Sequence, residues 1–220
     1  MMRTVLSLIL IFGLTGLGYA GNEDLDIHKV NGSISVPDDA TVGDLHTVNG
    51  SIHVGSNSHA KAVQTVNGGI DVESGATVAS LKTVNGGVHL ADKARVAQTV
   101  DTVNGSITLV SNADVAGKMK NVNGAIKLDA AHVGGGIETV SGDITIGPNS
   151  KVEGGVLVNE DNSWFRLSTR NPRIVIGPHA TIEGKLTFKR EVELYVSDSA
   201  TIGAVEGATA KKFSGDQPQL

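Results

Sequence analysis

Residues 47–54 read Thr-Val-Asn-Gly-Ser-Ile-His-Val, and variants of this phrase return along most of the chain. The Val-Asn-Gly triplet begins at Val30, Val48, Val66, Val84, Val103 and Val122, and a Val-Ser-Gly variant begins at Val140. Successive valines lie 18, 18, 18, 19, 19 and 18 residues apart. A nearly constant period of this length is typical of solenoid proteins, in which each repeat forms one turn of a coil.

Each repeat contains three short apolar patches separated by Gly, Asn, Asp and Ser. Residues 52–54 (Ile-His-Val), 76–78 (Ala-Thr-Val) and 81–83 (Leu-Lys-Thr) are examples of the three. Alternation of apolar and polar residues is the signature of strands that are buried on one side. We therefore predict an all-β fold, a single-stranded parallel β-helix (β-solenoid) with turns of about 18 residues and a C-terminal cap.

A meander of β-hairpins is the structural alternative, because Asn-Gly is the strongest short signal for a hairpin turn. Two features favour the coil. The repeats are direct copies without a mirrored pattern, and other turn signals, at residues 37–39 and 55–57, are out of phase with two-residue hairpins. Equal repeat lengths are needed to keep the faces of a coil aligned, whereas hairpins have no such requirement.

In a stacked coil the asparagines of the triplet form a column at one corner. The column contains Asn31, Asn49, Asn67, Asn85, Asn104 and Asn123. An amide side chain carries both donors and an acceptor, so stacked copies can bond to one another, and Asn also tolerates left-handed backbone. We interpret the column as a structural ladder. Three Asn-Gly-Ser copies also match the N-glycosylation pattern, but the repeat itself already accounts for that match.

The first twenty residues resemble an export signal. Arg3 precedes an apolar run over residues 5–17, and small residues at Gly18 and Ala20 fit a cleavage site after Ala20. A retained membrane anchor is the alternative, but the run is shorter than the roughly 20 residues that span a bilayer. We therefore predict a signal peptide at residues 1–20 and a periplasmic or secreted mature protein that has no membrane span after cleavage.

Composition excludes several classes of function. The 220 residues contain no Cys, which excludes disulfides, thiolate metal sites, cysteine nucleophiles and lipoprotein anchoring. A formal net charge of −5 gives no electrostatic signal for binding nucleic acid. Aromatic residues make up only 3% of the chain, which is consistent with a core of aliphatic side chains.

The C-terminal third carries a different phrase. Residues 146–148 (Ile-Gly-Pro) return at 176–178, a separation that is too long for one turn. We place the surplus in an irregular turn or loop over residues 159–173. This segment contains a candidate partner-binding group, Trp164, Phe165, Arg166, Arg170 and Arg173. Capping of the last turn is the alternative role for the aromatic residues.

These observations divide the chain into parts. Residues 21–207 are predicted to form the solenoid, with regular repeats over 30–146 and C-terminal turns and cap over 174–207. Residues 208–220 are predicted to be a flexible tail because they are polar and end the chain.

The repeats are similar to two kinds of known protein. The T-V-N-G-[SG]-[IV] repeat over residues 30–146 resembles the exported adhesin domains of bacteria, which implies a right-handed single-stranded parallel β-helix. The Ile-Gly-Pro phrases resemble bactofilins, which are polymer-forming β-helices, and the left-handed coils of hexapeptide acyltransferases. The longer repeats, those that begin at Val84 and Val103, break the hexapeptide register.

The sequence offers few candidate metal-ligating or catalytic residues. Stacking would bring His53, Asp71 and His89 together on the outer surface, where His and Asp can ligate a metal. A solvated polar column is the interpretation we favour, so no metal site, cofactor site or catalytic residue is assigned and the chain is not predicted to be an enzyme.

We expect a rigid envelope scaffold that adheres to an envelope glycan or another surface protein. A bactofilin-like protein that assembles with itself is one alternative, and a β-helix carbohydrate-active enzyme or hexapeptide-type acyltransferase is another.

Overall fold

The computed structural model describes residues 25–161 and 170–218, which form 26 strands and no helix. The predicted signal peptide lies outside this range. The strands up to residue 109 are β1 (Ile27–Asn31), β2 (Ile34–Val36), β3 (Leu45–Asn49), β4 (Ile52–Val54), β5 (His59–Asn67), β6 (Ile70–Val72), β7 (Thr77–Asn85), β8 (Val88–Leu90), β9 (Arg95–Val96), β10 (Val100–Asn104) and β11 (Ile107–Leu109). The following strands are β12 (Asp114–Val115), β13 (Met119–Asn123), β14 (Ile126–Leu128), β15 (His132–Val133), β16 (Ile137–Thr139), β17 (Ile144–Ile146), β18 (Lys151–Val152), β19 (Val156–Val158), β20 (Arg173–Ile176), β21 (Thr181–Ile182), β22 (Leu186–Phe188), β23 (Glu193–Ser197), β24 (Thr201–Ile202), β25 (Val205–Glu206) and β26 (Ala210–Phe213).

The chain coils through three faces in each turn. The first face is a ten-stranded sheet in the order β2-β4-β6-β8-β11-β14-β17-β20-β23-β26. The second face carries the Ala-x-Val strands, including β9, β12, β15, β18, β21 and β24. The third face carries the Leu-x-Thr strands, including β1, β3, β10, β13, β16, β19, β22 and β25. The long strands β5 and β7 run across the second and third faces and join them into one sixteen-stranded sheet.

The strands pair in parallel and in the register that the repeat predicts. Ile34 pairs with Ile52, and Ile52 pairs with Ile70, in both cases one repeat further along the chain. Where a repeat is one residue longer the register follows it, as in the pairing of Val88 with Ile107. All pairs between strands of the described chain are parallel, so the β-solenoid is confirmed, with about ten turns, and the hairpin meander is wrong.

Inward side chains of successive turns form continuous apolar columns along the axis. On the first face these residues are at most 2% exposed, and they include Ile34, Ile52, Ile70, Val88, Ile107, Ile126, Ile144 and Ile174. Small alanines such as Ala94 and Ala113 alternate with valines on the second face. Aliphatic residues of similar size stack well at the spacing of about 4.8 Å between paired strands, which explains a core that needs few aromatic rings.

The surplus segment leaves the coil at a corner without disturbing the register. Strand β19 ends at Val158 and β20 begins at Arg173, yet Ile144 of β17 still pairs with Ile174 of β20. Because the extra residues lie between the third and first faces, both faces keep their columns. The structure describes this segment only up to Asp161 and from Arg170 onward.

The coil extends into the segment that the sequence analysis assigns to a flexible tail. Residues 210–213 form β26, which pairs with β23 through Leu194 and Ala210. Ala208 and Ala210 pack against the core. Their small apolar side chains continue the inward column, and this pattern was hidden by the neighbouring lysines.

The corner between the first and second faces, which is distinct from the corner of the Asn column, requires left-handed backbone. It lies after the first face, where a four-residue turn is closed by hydrogen bonds such as Ser58 N–H to Gly55 O at 3.3 Å. The residues with positive φ there are Asp39, Asn57, Gly75, Lys93, Asn112, Ala130, Asn149 and His179, with values between 47° and 72°. The Asn column has no positive φ among the described residues, so its asparagines do not use the left-handed backbone that Asn tolerates.

Replacing Ala130 with glycine is expected to stabilise the coil. A side chain with a Cβ atom is strained at the φ of 47° that Ala130 adopts, at a cost of about 1–2 kcal/mol. Relief of this strain outweighs the loss of about 0.5–1 kcal/mol that glycine causes through its greater freedom in the unfolded chain. Urea unfolding followed by circular dichroism measures the change. The matched control is Ala116→Gly, in the preceding turn, on the surface and without positive φ, which should destabilise by about 0.5–1 kcal/mol. Equal effects of the two substitutions would contradict the strain.

Candidate functional site

The Asn column forms a chain of side-chain hydrogen bonds along one edge. The amide of Asn49 donates to the amide oxygen of Asn31 at 3.0 Å, and Asn67 donates to Asn49 at 2.9 Å. Asn85 and Asn104 continue the series at 3.0 and 3.1 Å. The five amides from Asn31 to Asn104 are thus linked, and such bonds stabilise by about 1 kcal/mol each. Asn123 is in register with Asn104, but its side chain does not extend the series of hydrogen bonds.

A column of buried threonines lies beside this edge. The hydroxyl of Thr65 donates to Gly50 O at 2.8 Å, and Thr83 donates to Gly68 O at 2.9 Å. In a later turn Asn121 takes the place of Thr and donates to Gly124 O at 2.8 Å. The repetition of Thr before Val-Asn-Gly was the sequence signal for this column, but the pattern alone did not reveal its acceptor.

Replacing Thr83 with valine is expected to destabilise the protein by about 1–3 kcal/mol, because the isosteric side chain cannot donate to the Gly68 carbonyl. Thr83→Ser keeps the hydroxyl and should retain most of that hydrogen-bond contribution. Thr145→Val, on the outer side of β17, should change stability by less than about 0.5 kcal/mol. A Thr83→Val variant as stable as the wild type in urea would show that the hydrogen bond contributes nothing.

The histidines considered as metal ligands do share a column. His53 pairs in register with Asp71, and Asp71 with His89, on the outer side of the first face. The imidazole of His53 instead faces Glu73, with 3.8 Å between Nδ1 and Oε1. Within residues 25–161 and 170–218 no group of three His, Asp or Glu residues is placed to hold a metal ion.

Charged residues on the second face form a network that the sequence analysis did not select. His132 lies between two carboxylates, with Nδ1 2.5 Å from Asp114 Oδ1 and Nε2 3.3 Å from Glu153 Oε1. Lys151 bridges Glu153 at 2.8 Å and Glu183 at 3.0 Å. Pairing each residue with its equivalent in the next repeat would have found Asp114, His132 and Lys151, which are neighbours in register.

The network shifts the pKa of two of its members. The hydrogen bond from Lys151 lowers the pKa of Glu153 below its ordinary 4.5, with a smaller contribution from His132. Hydrogen bonds to Glu153 and Glu183 raise the pKa of Lys151 above 10.5. A carboxylate with a depressed pKa contributes stability that is present above its unfolded pKa and is lost as the pH falls through its folded pKa. The contribution of Glu153 is therefore fully present above about pH 4.5 and is lost as the pH falls from there through the lower pKa of the folded state.

Substitution of Lys151 by glutamine is expected to raise the pKa of Glu153 towards 4.5, because its main hydrogen-bond donor is removed. A carboxyl-detected NMR titration of the full chain measures this pKa directly. Lys82→Gln removes a lysine of the third face and should leave the titration of Glu153 unchanged. An unmoved pKa in the Lys151→Gln protein would assign the shift to another group.

The predicted partner-binding loop is described only in part. Trp164, Phe165 and Arg166 lie outside the described residues. Arg170 is ion-paired with Asp143 at 2.6 Å, which raises the pKa of the guanidinium, and the backbone N–H of Arg173 donates to the same carboxylate at 2.8 Å. The side chain of Arg173 contacts Glu193 at 3.2 Å. Both arginines thus anchor the returning end of the insertion to the coil.

A groove of about 500 Å³ lies beside this anchor on the first face. Its floor includes the outward residues Lys127, Thr145 and Val175 of three successive turns. Asp143 and Arg173 line one side, and the C-terminal residues 216–218 line another. The groove therefore combines apolar groups such as Val175 and Pro148 with hydroxyl, ammonium, guanidinium and carboxylate groups, a mixture typical of sites for polar ligands.

Comparisons with family models, with curated proteins and with solved structures found no match to this chain. Among the described residues, no helix is long and apolar enough to cross a membrane. The fold and the surface groups therefore carry the functional argument.

Proposed function

We propose that the protein is a non-catalytic, exported scaffold of the bacterial envelope that binds an envelope glycan or another surface protein. The groove on the first face is its binding site. The resemblance of the Thr-Val-Asn-Gly repeat to exported adhesin domains supports this role, and the apolar run after Arg3 supports export.

One observation carries the proposal. The largest insertion in the coil, over residues 159–172, returns beside the groove, and the C-terminal residues 216–218 line the same groove. In a solenoid, departures from the repeat are concentrated on one side when that side binds a partner. Two separate departures at one groove therefore favour a binding role for it.

The arrangement of titratable groups favours binding over catalysis. The cluster that most resembles acid–base machinery, Asp114 with His132 and Glu153, lies on the outer side of a sheet. These three side chains are 37–43% exposed and are paired with one another. General acid–base catalysis is most effective where a site excludes water and holds a substrate against the acid and base.

Filling the groove tests the proposal. Thr145→Trp places a large ring on the groove floor without touching the core. The control Thr108→Trp places the same ring two turns earlier in the same outward column, outside the groove. We expect the first variant to lose retention on purified peptidoglycan or on the surface of the producing cell, and the second to keep it. Equal retention by both variants would remove the groove from the proposal.

The insertion is tested separately. The double variant Trp164→Ala and Arg166→Ala should weaken the same binding while the far-UV circular dichroism spectrum stays that of the wild type.

Two further measurements test the remaining parts of the proposal. Consumption of any member of a glycan panel, abolished by replacing one acidic residue, would instead establish a carbohydrate-active enzyme. N-terminal sequencing of the exported protein checks cleavage after Ala20.

End-to-end assembly is a second candidate function, favoured by the two ends of the described coil. Within the described residues, β2 at one end and β26 at the other each pair on one side only. Unpaired edges are templates for further strands, and the Ile-Gly-Pro phrases resemble bactofilins. Electron microscopy of the mature protein would show filaments under this candidate and uniform short rods under the scaffold proposal.

A further inference from the structure

An apolar stripe runs along the outer surface of the third face. It consists of one outward valine per turn, namely Val30, Val48, Val66, Val84, Val103, Val122 and Val140. Val30 is 68% and Val103 39% exposed, and the others are half-buried by their neighbours. At about 4.8 Å per turn the stripe is about 29 Å long. Single exposed valines are ordinary, but a contiguous apolar stripe marks an interaction surface.

A charged column lies parallel to the stripe, two residues away along each strand. Lys82, Asp101, Lys120 and Glu138 occupy successive turns in register, so the sign of the charge alternates along the axis. A shallow groove of about 240 Å³ runs between this column and Val103, Val122 and Val140. The surface therefore presents an apolar row and an alternating polar row, both with the repeat of the coil.

We propose that this surface binds a second copy of the chain, side by side and with the two coil axes antiparallel. The occupant must present apolar and charged groups at the same spacing of about 4.8 Å, and a second copy does so. A two-fold axis along the strand direction, placed between the turns of Asp101 and Lys120, sets each column against its own copy. Such an isologous contact is the commonest way in which proteins form dimers.

The charges fit this arrangement. Asp101 then faces Lys120 of the second copy, and Lys82 faces Glu138 of the second copy. The valines meet in the same way, Val103 against Val122 and Val84 against Val140. A parallel pair with the two-fold axis along the charged column would set Lys82 against Lys82 and Asp101 against Asp101, and like charges in contact are strongly disfavoured.

Groups within the same chain hold these side chains in place. Lys120 Nζ is 3.6 Å from Glu138 Oε2, and the hydroxyl of Thr99 donates to Asp101 Oδ2 at 2.8 Å. The amide of Asn159 donates to Glu138 Oε1 at 2.8 Å and marks the end of the groove towards the insertion. Three of the four charged side chains, those of Asp101, Lys120 and Glu138, are therefore held in place before the second copy arrives, which lowers the entropy lost on association.

A charge exchange tests the proposal on the full mature chain, with mass measured by analytical ultracentrifugation. We expect a dimer for the wild type. Asp101→Lys and Lys120→Glu alone each set like charges against each other, and each should weaken the dimer by about tenfold or more. The double variant restores opposite charges in both contacts and should return towards the wild-type affinity. Lys93→Glu, at the corner after the first face, should leave the dimer unchanged.

Two results would contradict the proposed dimer. A wild-type monomer would overturn the proposal and leave the stripe to a different partner or to residues 162–169 of the same chain. Equal weakening in the single and double variants, with the far-UV spectrum intact, would also overturn it, since the exchange of charges would then not matter. End-to-end assembly predicts filaments whose length the exchange does not alter, so the two modes of association are distinguishable.

Discussion

Gly86→Ala is expected to have one of the largest effects of any single methyl group added to the described part of the chain. A Cβ atom at Gly86 would lie 1.9 Å from the carbonyl oxygen of Gly68 and 2.4 Å from its carbon, which are backbone atoms of the preceding turn. The turns cannot separate locally without breaking the hydrogen bonds of both adjoining faces. We expect a loss of about 3 kcal/mol or more, at the upper end of overpacking effects.

Urea unfolding followed by far-UV circular dichroism measures this loss. The matched control is Gly69→Ser, where the added Cβ atom would lie 3.3 Å from Gly87 O. Serine already occupies the equivalent position in other turns, at Ser33, Ser51 and Ser106. The control should therefore stay within about 0.5–1 kcal/mol of the wild type. Similar midpoints for the two variants would mean that the corner relaxes easily and that the clash is not decisive.

Ile107→Ala is expected to have an effect of similar size. Ile107 is 0% exposed and lies between Val88 of the preceding turn and Ile126 of the following one. Truncation leaves a cavity in a column that its neighbours cannot close, because their backbones are held by the sheet. The expected loss is about 2–5 kcal/mol.

The control for this substitution is its neighbour in the same strand. Thr108→Ala removes side-chain atoms from the outer side of β11 and should change stability by less than about 0.5 kcal/mol. Because each turn contacts only adjacent turns, the Ile107→Ala protein should also unfold with a broader transition. A narrow transition at the wild-type midpoint would contradict the description of the core as a single stacked column.

The direction of the strands and the inward faces could be predicted because one short phrase repeats at nearly equal intervals. Once Val48 and Val66 are known to be one repeat apart, the register of every strand between them follows. The same arithmetic places the surplus before residue 174, since Ile146 and Ile176 remain paired. Equal spacing is a strong constraint, because a slip of one residue would turn every apolar side chain of a strand outward.

The backbone conformation at the corners was harder to predict, because Gly and Asn occur at corners of different conformation. Asn-Gly suggests left-handed backbone at Asn85, whereas the positive φ values occur at residues such as Asn57 and Ala130. The triplet glycines from Gly50 to Gly105 are required for another reason, the close approach of consecutive turns, whereas Gly32 and Gly124 have positive φ. A sequence shows that glycine recurs, but whether a turn or a neighbouring backbone requires it depends on how the turns stack.

The surface groups were predicted least well. His53, Asp71 and His89 attracted attention because they share the repeat position with the clearest period. Asp114, His132 and Glu153 come together across turns whose sequences differ more. Outer positions vary from turn to turn, so their periodicity carries little information, and only the stacked register shows which of them meet.

The segment between β19 and β20 shows where this architecture accepts change. About a dozen residues beyond one ordinary turn leave and return at a corner, while the strands on both sides stay paired as if nothing had been inserted. The number of turns, which sets the length of the coil, and the size of a loop at a corner can thus change independently. Duplication of one repeat would lengthen the rod by about 4.8 Å, whereas growth at a corner would add new surface at constant length, so evolution can adjust the reach and the specificity of such a protein separately.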